Sequence, residues 1–410
     1  MTVATAVSGA LRSGNALTAL DGRRVCFVAN AVAGAGGQGE FLRQMARALD
    51  AIPGAVIFSR HASAARAGCV NLPFERSARR LAFDALLATP LLRGRQDWLT
   101  ILADEDFDRR VAAHIGPIDL VDGVIGQCCD TLTRVRSRAA RVVLTSLNTH
   151  LDHLVDVVEA EHRRIGHHGR SFVHPRMRRR AARELALADL VRVNSELARQ
   201  TFIERGVPAA KVHVIHPAVD LDHFRPVPKP DDVFRVMAVA SIDPRKGIHH
   251  LLKGFLDARL PNAELVLIGG TGDRWSRRML EGYQRRDARI RVVQVDVTKT
   301  RVEDSYGAAS VVVHPAIEDG YGLVIPQALA CGRPVIASRG AGASELIEDG
   351  VHGFVVEAAS SDAIKTRLQT LAADLRLRER MAASAPSAVR GLGYADFARA
   401  VAAFYASAFC

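Results

Sequence analysis

The chain has 410 residues and a mass of 44.3 kDa, a length typical of about two to three domains that each bury a core. Apolar residues make up 48% and charged residues 24%, which excludes a disordered chain. No stretch reaches the roughly 18 uninterrupted apolar residues of a membrane span, so we expect a folded cytoplasmic protein.

The distribution of charge and the cysteine content restrict the class of protein further. Basic residues exceed acidic ones by 55 to 44, and residues 1–228 hold 31 of the basic and 23 of the acidic residues. Residues 1–22 lack a basic start followed by an apolar run, which predicts a flexible leader rather than a signal peptide. The six cysteines form no C-x-x-C pair, so we expect reduced thiols and no zinc site.

Strands and helices alternate along the first half of the chain. The apolar run at residues 24–29 predicts a strand, a glycine-rich loop follows, and the spacing of apolar residues predicts a helix over residues 40–49. Ser195 is a good cap for a second helix over residues 196–205. Further strands are predicted at residues 55–58, 120–125, 142–146, 190–194 and 212–216.

A second alternating series follows a break. Residues 217–232 contain four prolines and four acids without apolar periodicity, so we place a linker at 221–232 between domains at 23–220 and 233–390. Strands of continuous hydrophobicity between helices predict an α/β fold of two Rossmann-like domains, with parallel sheets facing a central cleft. The second domain is predicted to contain strands at 233–240, 264–268, 290–295, 310–314 and 334–337 and helices at 248–260, 274–286, 302–309, 321–331 and 344–349.

The first glycine-rich loop leaves two interpretations open. Gly34, Gly36 and Gly39 match the G-x-G-x-x-G pattern of dinucleotide-binding sites between a strand and a helix. Four residues separate the strand from the first glycine, however, and the second strand ends beside Arg60 rather than in an acid. Because Arg60 would suit a 2'-phosphate, an NADP-binding oxidoreductase is the alternative function.

Residues 314–338, HPAIEDGYGLVIPQALACGRPVIAS, carry the most informative pattern. Asp319 and Gln327 stand eight positions apart around a G-Y-G-L turn, and a G-R-P-V-I strand follows. The segment resembles the donor-site motif of retaining glycosyltransferases of the GT-B fold, family 4. In the same order as in that family, residues 193–226 resemble its interdomain passage, residues 241–255 (SIDPRKGIHHLLKGF) its lysine-glycine loop and residues 342–356 its late acidic turn.

The resemblance implies a nucleotide-sugar site on the second domain. Arg245 and Lys246, just before a helix, would stabilise the negative charge of the departing diphosphate. Ser241 stands where the family often has a further arginine. The turn would offer backbone amides to the β-phosphate and the sugar at Gly320, Tyr321, Gly322 and Leu323.

Two acidic positions of the family map unequally onto this chain. Asp319 corresponds to the first family glutamate, and Glu318 is the neighbouring carboxylate; both are candidate catalytic residues. Gln327 corresponds to the second glutamate, which accepts from both ribose hydroxyls. An amide accepts through its oxygen only, so we expect ribose binding weakened by about 1 kcal/mol.

The resemblance places the acceptor on the first domain. Gly36 and Gly37 correspond to the family's paired glycines, which face the donor. His150, after the strand at 142–146, stands near the transferring sugar in relatives; a purely structural role is the alternative. Residues 391–410 would form a helix, at 394–409, that packs back on the N-terminal domain.

The stretch that begins at His162 and ends at Arg183 contains eight arginines, four histidines and no acid. It is interpreted as a solvated face, a platform for a phosphate-bearing acceptor, or a contact with anionic lipid headgroups. We favour a peripheral contact with the inner face of the membrane, since relatives act on lipid-linked acceptors. A single aromatic residue, Phe172, argues against nucleic-acid binding.

The resemblance to family 4 implies transfer of a hexose from a UDP or GDP sugar to a hydroxyl group with retention of configuration. The acceptor is expected to be a polysaccharide or a lipid-linked glycan, and no metal or other cofactor is expected. A non-catalytic, arginine-rich anion-binding protein on the same scaffold is the alternative from another class.

Overall fold

The computed structural model describes residues 13–62, 68–87, 96–169, 173–293 and 302–409. No helix within these ranges is both long enough and apolar enough to cross a membrane. The strands form two separate sheets, and every pair of neighbouring strands is parallel. The α/β architecture expected from the sequence is confirmed.

The first sheet has the strand order β3-β2-β1-β4-β5-β6-β7. Its central strands are buried along nearly their whole length, because helices cover both faces of the sheet. The strands are β1 (Val25–Val32), β2 (Val56–His61), β3 (Cys69–Asn71), β4 (Leu120–Val124), β5 (Arg141–Ser146), β6 (Leu190–Val193) and β7 (Val212–Val214). The helices are α1 (Ser13–Leu20), α2 (Gly36–Leu49), α3 (Ala78–Leu87), α4 (Gln96–His114), α5 (Cys129–Arg136), α6 (Leu151–Arg164), α7 (Pro175–Leu187) and α8 (Glu196–Glu204).

The second sheet has the order β10-β9-β8-β11-β12-β13. Its strands are β8 (Phe234–Val239), β9 (Ala263–Ile268), β10 (Ile290–Val293), β11 (Val311–His314), β12 (Val335–Ser338) and β13 (Gly353–Val356). The helices in this part of the sequence are α9 (Ile248–Ala258), α10 (Arg274–Arg286), α11 (Val302–Ala308), α12 (Val324–Ala330), α13 (Ser361–Ala373) and α14 (Leu375–Ser384), and α15 (Tyr394–Ser407) follows them. Between the two sheets, residues 215–233 form no helix or strand, the region in which the sequence placed the linker.

The last helix belongs to the core of the first sheet. Phe397 and Phe404 of α15 pack in one apolar cluster with Phe27 of β1 and Phe41 of α2. The rings of Phe41 and Phe397 meet edge to face at 6.2 Å between centroids. The chain therefore crosses back to the first domain after building the second sheet.

The N-terminal segment differs from the flexible leader expected for residues 1–22. Residues 13–20 form α1, and its Ala16 and Leu20 are each 2% exposed within the same cluster as α15. A helix that is too short for stability alone gains it from such packing. Residues 1–12 lie outside the described part of the chain.

Two of the predicted helices are corrected by the structure, and one predicted strand is described only in part. Helix α2 begins at Gly36 rather than at residue 40, so the glycines lie in its first turn. The predicted helix at 344–349 is a short 3-10 helix, Gly342–Leu346. Strand β10 is described over Ile290–Val293, and residues 294 and 295 of the predicted strand lie outside the described residues.

Candidate functional site

The loop after β8 carries two cationic side chains, Arg245 and Lys246, on the side of the cleft that the second domain forms. Asp243 caps a 3-10 helix, Pro244–Lys246, by accepting from the Lys246 amide at 3.0 Å. The Arg245 carbonyl accepts from the Ile317 amide at 2.8 Å, which ties the loop to the segment after β11. Because this backbone is fixed at two points, the adjacent cationic side chains are held toward residues 318 and 319.

Two ion pairs result from this arrangement. Lys246 Nζ lies 2.5 Å from Asp319 Oδ2, and Arg245 Nη1 lies 2.9 Å from Glu318 Oε2. The side chains of Lys246 and Arg245 are 13% and 18% exposed. The structure thus brings together four of the predicted site residues. With His314, which also contacts Asp319, we name them the cleft cluster.

The Asp319 carboxylate is held in its ionised form. Burial alone would raise the pKa of Asp319, but the Lys246 ammonium and the His314 ring outweigh burial, so this pKa lies well below its ordinary value. His314 Nε2 is 2.9 Å from Asp319 Oδ2. Burial lowers the pKa of His314. Because the ionised Asp319 carboxylate can only accept, His314 donates to it from Nε2.

Glu318 is placed between the two domains rather than toward open solvent. Its Oε1 accepts from the hydroxyl and the amide of Thr149, at 2.8 and 3.1 Å, while Oε2 faces Arg245. The side chain is 1% exposed. This geometry suits a carboxylate that positions Arg245 and the loop after β5, whereas Asp319 is the acid nearer the cleft surface.

The turn predicted to bind the β-phosphate requires glycine at two positions. A Cβ atom at Gly320 would lie 2.4 Å from the Leu147 carbonyl oxygen of the first domain. Gly322 has a φ of 89°, in the left-handed region that favours glycine. Ser195 Oγ donates to the Gly320 carbonyl at 2.7 Å, so the turn is fixed from both domains.

Of the other residues predicted to contact the donor, Tyr321 packs in the interior and Gln327 makes a polar contact. Tyr321 is 3% exposed, and its ring lies 5.8 Å from that of His216. Helix α12 begins at Val324 rather than at residue 321, because the left-handed Gly322 interrupts a helix there; Leu323 is its N-cap residue. Gln327, in α12, accepts through Oε1 from the Tyr306 hydroxyl at 3.1 Å.

On the first domain, the predicted residues lie at helix starts. Gly36 and Gly37 are exposed in the first turn of α2, and a Cβ at either would meet no atom within 4 Å. His150 is the N-cap of α6, where its Nδ1 accepts from the Asp152 amide at 3.2 Å. Its ring also packs edge to face against Phe202 at 5.1 Å. These contacts support the structural alternative for His150, and its role near the transferring sugar stays a prediction.

The contacts of Arg60, at the end of β2, do not favour the NADP-binding alternative. Arg60, expected to meet a 2'-phosphate in that interpretation, is instead paired with Glu75. The guanidinium is thus already engaged by a carboxylate of the same domain.

The stretch from His162 to Arg183 does not form one continuous face. Arg164, at the end of α6, hydrogen-bonds the Ala359 carbonyl of the second domain at 3.2 Å. Arg178 of α7 is paired with Asp152 of α6. Residues 170–172 lie outside the described residues, and the arginines on the other side of α7 surround a separate pocket.

A further polar cluster joins the domains away from the ion pairs. Glu161 of α6 lies 2.7 Å from His249 Nε2 and 2.9 Å from His250 Nε2, both on α9. Burial opposes ionisation, but the two rings and Arg164 outweigh it and hold the pKa of Glu161 well below its ordinary value. Glu161, His249 and His250 could also ligate a metal ion; Arg164 Nη2, however, lies 2.6 Å from His250 Nε2.

Sequence reasoning did not find Thr149, His314 or Glu161. Thr149 and His314 stand at or directly after a buried strand, at the sheet edge where ligands of parallel sheets bind. That placement was a usable signal for both. Glu161 gave none, because its partners are 88 and 89 positions away in sequence.

Two parallel-sheet α/β domains that meet at such a cleft define the GT-B fold. The fold is shared with sucrose-phosphate synthase from Thermosynechococcus elongatus, with a TM-score of 0.72 at 22% identity, covering 94% of this chain and 99% of that one. Residues 220–388 match the family model described as glycosyl transferases group 1. The C-terminal domain, which carries the cations and the turn, is therefore the part related to that family.

Two curated relatives extend this relationship. The D-inositol 3-phosphate glycosyltransferase of Streptomyces griseus is 28% identical over 268 residues, which are 56% of this chain and 57% of that protein. The GDP-mannose-dependent alpha-(1-6)-phosphatidylinositol monomannoside mannosyltransferase of Mycolicibacterium smegmatis is 31% identical over 217 residues, 46% of this chain and 54% of that protein. The chain thus spans little more than half the length of the curated relatives it matches.

Proposed function

We propose that this protein is a retaining glycosyltransferase of the family 4 type, which moves a hexose from a nucleoside diphosphate sugar to a hydroxyl acceptor. The observation that carries the proposal is the cleft cluster, in which two cations meet two carboxylates beside a glycine turn. The match of residues 220–388 to group 1 glycosyl transferases supports the same reaction class.

Charge development explains why the cations matter. When the glycosidic bond to the diphosphate breaks, negative charge grows on the leaving phosphate oxygens. Lys246 has three N–H donors and Asp319 engages one of them at 2.5 Å, so the ammonium has donors to spare for a phosphate oxygen. Arg245 adds a second positive charge, and its position is fixed through Glu318.

The neighbouring residues would orient the rest of the donor. Backbone amides of the turn at residues 320–323 would bind the β-phosphate and the sugar hydroxyls, and Gln327 would bind the ribose. Gly36 and Gly37, which are exposed in the first turn of α2, would face the donor from the first domain. The contacts of Thr149 with Glu318 and of Ser195 with Gly320 would hold the domains together and exclude water from the reacting bond.

The acceptor is proposed to be a polysaccharide or a lipid-linked glycan at the inner face of a membrane. The two relatives are named for inositol 3-phosphate and for phosphatidylinositol monomannoside, and both of these compounds carry phosphate. We further propose that the reaction uses no metal, since Arg245 and Lys246 supply the positive charge that a metal would otherwise supply.

Thermal denaturation with UDP, GDP and NADP tests the donor class. We expect UDP or GDP to raise the melting temperature, and NADP to leave it unchanged. Stabilisation by NADP alone would instead support the oxidoreductase. No response to any of the three would support a non-catalytic anion-binding protein.

A screen of UDP and GDP sugars then identifies the donor, with release of the nucleoside diphosphate as the readout. For the active donor, proton NMR of the first product shows the anomeric configuration. Retention is expected, and an inverted product would contradict the proposed mechanism.

A further inference from the structure

Five arginines surround a pocket of about 450 Å³ between α4, α5 and α7 of the first domain. Four of them, Arg176, Arg179, Arg180 and Arg183, follow one another at helical spacing on one face of α7. Arg109 of α4 completes the set. We name this cavity the arginine pocket.

The pocket has a fixed wall. Glu184, beside these arginines on α7, is fully buried and accepts from the backbone amides of Gly126 and Cys128. Arg180 Nε donates to the Gly126 carbonyl at 3.2 Å. Helix α7 is therefore attached to the segment between β4 and α5, and its arginine face keeps its orientation without a ligand.

Among the residues that the structure describes, carboxylates neutralise only two of the five guanidinium groups. Arg176 lies 2.7 Å from Glu105, and Arg180 lies 2.6 Å from the buried Asp108. Both acids lie on α4. These two arginines hold α7 against α4 and are structural.

The other three arginines have no such carboxylate partner within the described ranges. Arg109 donates to the backbone carbonyl of Glu105, and Arg179 and Arg183 make no hydrogen bond or ion pair with any residue that the structure describes. The remaining acid at the pocket is Asp130. Three converging cations against one carboxylate repel one another, and a dianion would relieve that repulsion.

We propose that the arginine pocket binds a phosphoryl group, at a site separate from the cleft cluster. Guanidinium groups match phosphate oxygens in planar, paired hydrogen bonds, and several around one anion give a strong site. The volume exceeds that of phosphate alone, so a sugar phosphate or a glycerol phosphate headgroup fits this pocket. The assignment of this phosphoryl group to the sugar acceptor rests on the proposed function. The binding of a phosphoryl group in the pocket is independent of that function.

The test is a pair of exposed substitutions with a matched control. The double variant Arg179→Gln/Arg183→Gln removes two charges four positions apart that hold no other residue in place. Arg376→Gln/Arg380→Gln removes two equally spaced, exposed charges from α14, on the second domain. Glycerol 3-phosphate is the soluble probe, measured by titration calorimetry.

We expect the pocket variant to bind glycerol 3-phosphate at least about tenfold more weakly than the wild type, and the α14 variant to bind it normally. UDP or GDP binding should be unchanged in the pocket variant. Lys246→Ala should show the reverse pattern, losing nucleotide but keeping glycerol 3-phosphate. Failure of the donor site and failure of the pocket are therefore distinguishable.

Vesicles separate the two sources of the phosphoryl group. Co-sedimentation is compared between phosphatidylglycerol and phosphatidylcholine vesicles. Loss of phosphatidylglycerol binding in the pocket variant assigns the site to a lipid headgroup, whereas loss of glycerol 3-phosphate binding alone assigns it to a soluble phosphate ester. If neither probe is affected more than in the α14 variant, the proposal is overturned.

Discussion

Two clusters in this protein pair buried acids with cations, but they differ in how much solvent reaches the cations. In the first domain, Asp122 and Arg192 are 0% exposed and lie 3.2 Å apart at their nearest nitrogen and oxygen. The cleft cluster also pairs acids with cations, but Lys246 and Arg245 retain 13% and 18% exposure. We name the first group the enclosed cluster.

The enclosed cluster has no side open to a ligand. Asp122 also accepts from the hydroxyl groups of Thr145, at 2.6 Å, and Tyr405, at 2.7 Å. Arg192 Nε donates to Thr145 Oγ1 at 3.1 Å, and its guanidinium lies 5.0 Å from the Phe41 ring centre. The cluster thus connects β4, β5 and β6 with α15. Full enclosure therefore makes a buried ion pair structural, whereas partial exposure leaves the cations of a pair able to contact a ligand.

The largest expected effect is on the enclosed cluster. Asp122→Ala leaves Arg192 buried without its carboxylate, and should lower the free energy of unfolding by about 3–5 kcal/mol. Urea denaturation measures this loss. Asp119→Ala is the matched control, because its pair with Arg24 lies at the surface with side chains 54% and 26% exposed.

We expect the control to lose less than about 1 kcal/mol. Equal losses in the two variants would show that enclosure does not distinguish these pairs.

In the cleft cluster, the corresponding substitution should affect activity more than stability. Lys246→Ala is expected to reduce turnover about 100- to 1000-fold, as loss of one charge-stabilising donor does elsewhere. The melting temperature should fall less than in Asp122→Ala, because the cleft cluster is partly exposed. Lys253→Ala, also on the second domain, removes an ammonium that lies equally 2.5 Å from an aspartate, Asp257, but is 55% exposed.

Donor turnover and thermal denaturation of both variants make the measurement. Wild-type turnover in the Lys246 variant, or an equal loss in the Lys253 variant, would refute the assigned role.

The sequence could predict the cleft cluster better than the enclosed one, for a physical reason. Arg245, Lys246, Glu318 and Asp319 lie in two short segments after strands, where polar residues interrupt apolar runs. Parallel strands bring such segments to one sheet edge. The contact between Tyr405 and Asp122 spans 283 positions, and no local pattern marks it.

The fold shows the same division. Continuous apolar strands predicted the two parallel sheets, because burial on both faces leaves a direct trace in composition. Helix α1 left little trace, since its stability comes from packing on α15 at the other end of the chain. Similarly, the early start of α2 was missed because its first residues, Gly36 and Gly37, are poor helix formers.

The two clusters should also respond oppositely to pH. Burial raises the pKa of Asp122 above 3.8 despite Arg192 and its hydroxyl donors, whereas Lys246 and His314 hold the pKa of Asp319 well below 3.8. A raised acid pKa makes the folded state bind more protons, so stability falls as pH rises above about 4. A lowered one stabilises the fold above about pH 4, and this contribution is lost as pH falls further.

Denaturation of Asp122→Asn and Asp319→Asn across pH measures each contribution as a difference from the wild type. The advantage of the wild type over Asp122→Asn should shrink with rising pH above 4. Its advantage over Asp319→Asn should shrink as pH falls below 4. Parallel trends in the two variants would contradict the assignment of opposite pKa shifts.

The smallest expected effect comes from a substitution that adds one carboxylate next to the cleft cluster. Gln327→Glu keeps an oxygen for the Tyr306 hydroxyl and supplies a second acceptor for ribose. Binding of the preferred nucleoside diphosphate should tighten by about 1 kcal/mol, or roughly fivefold. Calorimetric titration with UDP or GDP measures the change. Gln327→Met, of similar length but without an acceptor, should weaken binding instead; if both variants bind like the wild type, residue 327 does not contact the ribose.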